Sequence, residues 1–279
     1  MLLRFTKYFL VVAGICLAVA SGSSVASAQT ADSGDSQPSP NMCHVAPRVK
    51  AFLVCTYGSD QPTYRVALTG DSHAMQYQMP VLELANKYGW SVTFVLKSAC
   101  PVVDPLLYPI NMSNKQTCSW WNDKREKYFK KQEPFDLVIN SNSTYITHYA
   151  KNIDEAFAST VKKITDRKTQ FLLIRDNPKG IPGVAACSLN SAKVLRGRCD
   201  NKKTSAMYLS DPLPVAVAKN QQVVVADLTS FYCDKSKCYA NRFGSNVYRD
   251  DGHVSLHWAL NLLSGIDAAV PENLKHPRL

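Results

Sequence analysis

Apolar and polar residues alternate along this chain with two different periods, and each change of period marks a new element. Tyr64 to Thr69 (YRVALT) is a short β-rich run, with Gly70 directly after it. From about His73 to Lys87 the period becomes helical and sets Met75, Met79, Val81, Leu82 and Leu84 along one apolar side. Ser91 to Leu96 (SVTFVL) predicts a strand, and Trp120 to Lys131 a helix with a charged outer face. Phe135 to Ile139 (FDLVI) reads as a buried strand and Ile153 to Ile164 as an amphipathic helix. Gln170 to Ile174 (QFLLI) and Gln222 to Val225 (QVVV) add two strands, and a last helix spans about Ser255 to Asp267. Five apolar strands separated by helices predict an α/β protein with a parallel sheet covered on both faces. Right-handed crossovers make it a three-layer α/β/α sandwich. Ligands in such sheets bind beyond the carboxyl ends of strands, where Ser72 and the Asn140–Asn142 stretch fall.

The start of the chain follows another logic. Arg4 and Lys7 precede an almost unbroken apolar run from Tyr8 to Ala20, and small residues end in Ala26-Ser27-Ala28 before Gln29. The run is short for a bilayer span, and its flanks are those of a signal peptide over residues 1–28. A lipid anchor on Cys16 is the rival, but Ile15 stands where lipoprotein processing wants a small residue. Residues 29–42, rich in Ser, Asp, Gln and Pro, read as a disordered leader, which leaves one domain over 43–279. A secreted, periplasmic or cell-envelope location is expected. The net charge of +10 falls to +8 without Arg4 and Lys7, since the leader to Ala28 holds no acid. Such a charge favours anionic envelope polymers or serves ordinary solubility. There is no nucleotide-binding glycine fingerprint, and no nucleic-acid partner is expected.

Eight cysteines follow Cys16, an even number that suggests disulfides in an exported chain. Roughly a hundred pairings are possible. The expectation is sequential: Cys43–Cys55, Cys100–Cys118, Cys187–Cys199 and Cys233–Cys238, because all eight lie in loops or at element ends. Zinc is the alternative, but paired CxxC spacing is missing.

Candidate chemistry sits at two distant points. Gly70-Asp71-Ser72-His73 follows a strand and opens a helix, so Ser72 occupies a tight turn beside backbone N–H groups suited to an oxyanion. Alone, the same turn is equally a helix cap made by Asp71 or Ser72. Near the other end, Tyr248 to Ser255 reads YRDDGHVS. An Asp three residues before a His can accept its Nδ1–H and leave Nε2 facing a serine hydroxyl, as a general base requires. His257 lies four residues beyond His253, a spacing zinc sites use, but no third ligand accompanies it.

Taken together, Cys55 to Gly58 (CTYG), Val66 to Ala74 (VALTGDSHA), Lys97 to Pro101 (KSACP), Cys118 with Trp121, and YRDDGHVS resemble the SGNH hydrolase superfamily. The resemblance is nearest to the extracytoplasmic SGNH domains fused to acyltransferase-3 type membrane O-acyltransferases. It implies a flavodoxin-like fold with Ser72 as nucleophile, His253 as general base and then acid, and Asp250 orienting it. Asp250 is preferred to Asp251 because the family pattern is Asp-x-x-His. The family's oxyanion-hole glycine is replaced here by Lys97-Ser98-Ala99-Cys100, and its Gly-x-Asn-Asp by Asn140-Ser141-Asn142-Ser143. Strand-end alignment assigns the hole to the Ser72 N–H, Asn142 and Ala99, with Asn140 second to Asn142. Asp71, His73, Asn140 and Trp121 are candidate substrate contacts.

The implied reaction is transfer of a short, acetyl-like acyl group between Ser72 and water or a sugar hydroxyl, on an envelope glycan or glycolipid. No cofactor or metal is expected. A separate membrane acyltransferase is a possible acyl donor. The alternative is a catalytically weak or inactive envelope-glycan-binding module that keeps the fold.

Overall fold

Six strands in the order β1-β3-β2-β4-β5-β6 form the central sheet of this computed structural model, which describes residues 43–104, 115–148, 152–207 and 209–276. The strands are β1 (Cys55–Gly58), β2 (Arg65–Gly70), β3 (Ser91–Leu96), β4 (Leu137–Ser141), β5 (Gln170–Ile174) and β6 (Val223–Ala226). Strands β2 to β6 run parallel, as their apolar runs predict, while β1 adds to β3 antiparallel. That edge strand was not anticipated. It is only four residues long and half-buried, so it lacks the continuous apolar run by which a central parallel strand is recognised. The expected signal peptide and leader, residues 1–42, lie outside the described residues. Among the described residues no helix is long and apolar enough to cross a membrane.

Strand pleating sorts the core into two layers. Val66, Leu68, Val92, Phe94, Ile139 and Leu172 pack on one face, against helix Gln78–Tyr88 and the C-terminal helices Leu256–Asn261 and Leu263–Ala269. Ala67, Val95, Val138, Phe171 and Leu173 pack on the other, against helices Lys115–Lys131 and Ile153–Thr165. This is the predicted sandwich. The disulfides join Cys43–Cys55, Cys100–Cys118, Cys187–Cys199 and Cys233–Cys238, the sequential pairing.

One predicted helix is broken. In place of a single helix from His73, a turn of helix at Ser72–Met75 stops, and a second helix begins at Gln78. Pro80 is the physical reason. It has no N–H to give the carbonyl of Gln76, but it is tolerated in the first turn of a new helix.

Candidate active site

The order β3-β2-β4 makes the gap between β2 and β4 the point where the crossovers diverge, and hence the natural ligand crevice. Gly70 ends β2 opposite Ser141 of β4. Its φ is +155°, and a Cβ built there would lie 2.2 Å from the Ser141 carbonyl oxygen and 2.4 Å from Ala74 Cβ. Only glycine fits so close an approach. The next residue, Asp71, accepts the backbone N–H of His73 (2.8 Å) on one oxygen and that of Ser143 (2.9 Å) on the other. Asp71 is therefore the cap, and it also ties the serine turn to the end of β4. Burial raises its carboxyl above the usual range, opposed by the charge of His73 and these N–H donors.

Ser72, released from capping, meets the distant loop. Its Oγ lies 2.9 Å from His253 Nε2, and His253 Nδ1 lies 2.9 and 3.0 Å from the two oxygens of Asp250. Asp250 builds its own loop by accepting the N–H groups of Gly252 (2.9 Å) and His253 (2.7 Å). Its burial opposes ionisation, but the bond to His253 and the two N–H donors outweigh it and hold the carboxylate well below the usual range. Asp251 points elsewhere and accepts the Gly183 N–H at 2.8 Å. Hydroxyl, imidazole and carboxylate thus stand in the order in which a proton can leave the serine.

The frame around this line was not legible beforehand. Gln76 donates to Asn177 Oδ1 (2.8 Å) and accepts the Val254 N–H (3.1 Å), and Asn177 in turn donates to the Gly252 carbonyl (2.8 Å). Tyr248 donates to the Pro178 carbonyl at 2.9 Å. These contacts lock the His253 loop to the serine turn and to the residues after β5. Buried amides, unlike a Gly-Asp-Ser turn, carry no sequence pattern that announces a partner a hundred residues away.

The proposed oxyanion segments have identifiable geometry. Ala99 adopts φ +53°, the left-handed conformation that favours the glycine found at the family's corresponding turn. Asn142 is buried, accepts the Val102 N–H (3.0 Å) and donates one amide hydrogen to Asn140 (3.0 Å). Its amide nitrogen has no other partner among the described residues.

Three of the four expected substrate contacts require correction. Trp121 is fully enclosed in the core behind the sheet. Asn140 is likewise enclosed and spends its amide on the Thr69 carbonyl (2.8 Å) and on Asn142. Asp71, also enclosed, has both oxygens occupied as described. Only His73 reaches the cavity of about 330 Å³ beside His253, which Ser143, Tyr145, Lys179, Asp211 and Asp250 also line. Among the described residues no group of three or more His, Cys, Asp or Glu is placed to hold a metal ion.

A doubly wound α/β domain with a serine at its switch point is the class this geometry defines. Residues 42–266 match the family described as the SGNH domain (fused to AT3 domains), and the chain belongs to that family. No curated protein sequence matches it. Among solved structures it is similar to the periplasmic domain of a lipopolysaccharide acetyltransferase from Salmonella ser. Paratyphi A. The TM-score is 0.55 and the identity 14%, over 82% of this chain and 90% of that one. A likeness at that identity speaks for the fold.

Proposed function

We propose that this domain is an extracytoplasmic serine O-acyl esterase or O-acyltransferase that handles short, acetyl-like esters of cell-envelope glycans or glycolipids. The observation that carries the reading is the hydrogen-bonded line Asp250–His253–Ser72. Ser72 Oγ gives its proton to His253 Nε2 and attacks the ester carbonyl. The Ser72 N–H, the second amide hydrogen of Asn142 and the Ala99 turn receive the oxyanion, and the alkoxide leaves with the proton from His253. Water or a sugar hydroxyl then takes the acyl group. The family's fusion to membrane acyltransferase domains supports a membrane acyltransferase as acyl donor. The name of the similar acetyltransferase supports an acetyl group and a glycan-type acceptor. Four disulfides support an oxidising compartment, reached by cleavage near Ala28–Gln29.

The test is to incubate the protein with O-acetylated and with bare envelope glycans and to follow acetyl groups by mass spectrometry. Esterase activity removes them, and transferase activity adds them when an acyl donor is present. Ser72→Ala is expected to abolish either, and Asp250→Asn to lower kcat by roughly 10²–10⁴. Glycan binding without turnover, unchanged in Ser72→Ala, points instead to a glycan-binding module, a reading favoured by the internal commitment of the Asn142 side chain.

A further inference from the structure

A second histidine–carboxylate pair stands beside the first. His73 Nδ1 lies 2.5 Å from Asp176 Oδ1, and both side chains are almost wholly enclosed. Asp176 is fixed in turn: its other oxygen accepts the Thr144 N–H (2.6 Å), while Oδ1 also accepts the Asn177 N–H (2.9 Å). The His73 ring packs against the His253 ring with centroids 4.7 Å apart and planes inclined at 46°. Its second nitrogen, Nε2, has no protein partner among the described residues, and the ring lines the cavity. The serine mechanism makes no use of either residue, yet one of them touches the base.

We propose that Asp176 and His73 form a positioning pair that acts on the reaction through His253, holding a hydrogen-bonded imidazole against the base and setting the pH range in which the base works. The proposal rests on the serine chemistry above. The charged and titratable groups around the pair favour a protonated His73. Asp71 faces it from the serine turn, Asp250 and His253 from the last loop, and Asp176 from the end of β5. Asp211 and the neutral, buried hydroxyls of Tyr77, Tyr232 and Tyr248 lie towards Asp176, with Arg175, Lys179 and Asp251 around the cavity. Burial alone pulls the His73 imidazole down. The charge and hydrogen bond of Asp176, helped by Asp71 and Asp250, outweigh it and hold the group at about 9. His73 is then an imidazolium at neutral pH. That fixed positive charge, held against the His253 ring by Asp176, is the means by which the pair acts on the base.

The experiment is the pH profile of kcat/KM for p-nitrophenyl acetate with wild type, His73→Gln, Asp176→Asn and Asp176→Glu, alongside thermal unfolding of each. The acid limb is expected to shift in His73→Gln and Asp176→Asn, and to return towards wild type in Asp176→Glu. A histidine NMR titration of the wild-type protein needs no variant and decides the matter if a variant fails to fold. One imidazole is expected to remain protonated beyond pH 8. Profiles that superimpose on wild type in folded variants overturn the pair's role and leave the serine chemistry standing. So does a wild-type spectrum in which every imidazole loses its proton below pH 7. A wild type that neither cleaves the ester nor labels at Ser72 with a serine-directed phosphonate overturns the serine chemistry, and this proposal with it.

Discussion

At Asp211 the cost of lining a cavity with a carboxyl group can be followed on one residue. Burial, reinforced by the nearby Asp176 charge, pushes this carboxyl up to about 6, against the N–H of Leu213 and the charge of Arg175. Folding therefore raises its proton affinity above that of the unfolded chain, near 4. The stabilising share is present below about pH 4 and is lost as the pH rises through about 6, so at neutral pH the ionised group burdens the fold. Asp211→Asn keeps an oxygen to accept the Leu213 N–H. It is expected to stabilise the protein at pH 7 by up to about 2 kcal/mol and to have no such effect below pH 4. Unfolding in denaturant at the two pH values measures the difference. The residue scale is also where sequence reading separates sharply. The contacts of His253 with Ser72 and Asp250 were legible because the serine chemistry proposed here demands fixed local spacings. Trp121 misled because aromatic size serves a core and a sugar platform equally well. His73 was legible as a candidate, but its partner Asp176 was not, since nothing in Arg175-Asp176-Asn177 marks that aspartate from any other at a strand end.

Among elements, the junction of β2 with β4 carries the most consequence. Gly70 lets the two strand ends close on each other, and the serine turn inherits its position from that contact. In Gly70→Ala the added methyl meets backbone on one side and Ala74 on the other, so neither neighbour can yield easily. A loss of about 3 kcal/mol, at the upper end for overpacking, is expected, with ester cleavage falling further than the folded fraction explains. Thermal unfolding and specific activity on the same samples test both parts. The strands themselves were well marked, with Ser91–Leu96 and Gln170–Ile174 falling on the boundaries that the apolar runs predict. What hydrophobic periodicity could not express was the break at Gln76. Apolar residues continue in helical register across it, and only the missing N–H of Pro80 interrupts the ladder.

On the scale of the whole molecule, the sheet supplies the rigid part and the disulfides secure what projects from it. Cys187–Cys199 closes a loop within the long β5–β6 connection, and neither cysteine lines the cavity beside His253. Replacing both cysteines by serine is expected to cost about 2–3 kcal/mol, measured by denaturant unfolding. Cleavage of a small ester at 25 °C is expected to be unchanged. The α/β class and the layering were readable because five apolar runs separated by helices admit few other packings.

That long connection has a consequence for how such a domain diversifies. Lys179, Met207, Leu209 and Asp211 all reach the cavity from it, whereas Ser72 and His253 do not belong to it. It is pinned near its middle by a disulfide and by the short ladder of Asn201–Lys202 with Lys237–Cys238. An insertion or exchange there changes the wall that a bound molecule meets while the serine turn keeps its seat between β2 and β4. Under the function proposed here, the domain behaves as a fixed reagent with an interchangeable cartridge. New acceptors are reached by editing the cartridge, and a graft of residues 179–211 between family members, which spares Asp176, Asn177 and Pro178, should carry acceptor preference with it and leave the rate on a minimal ester behind.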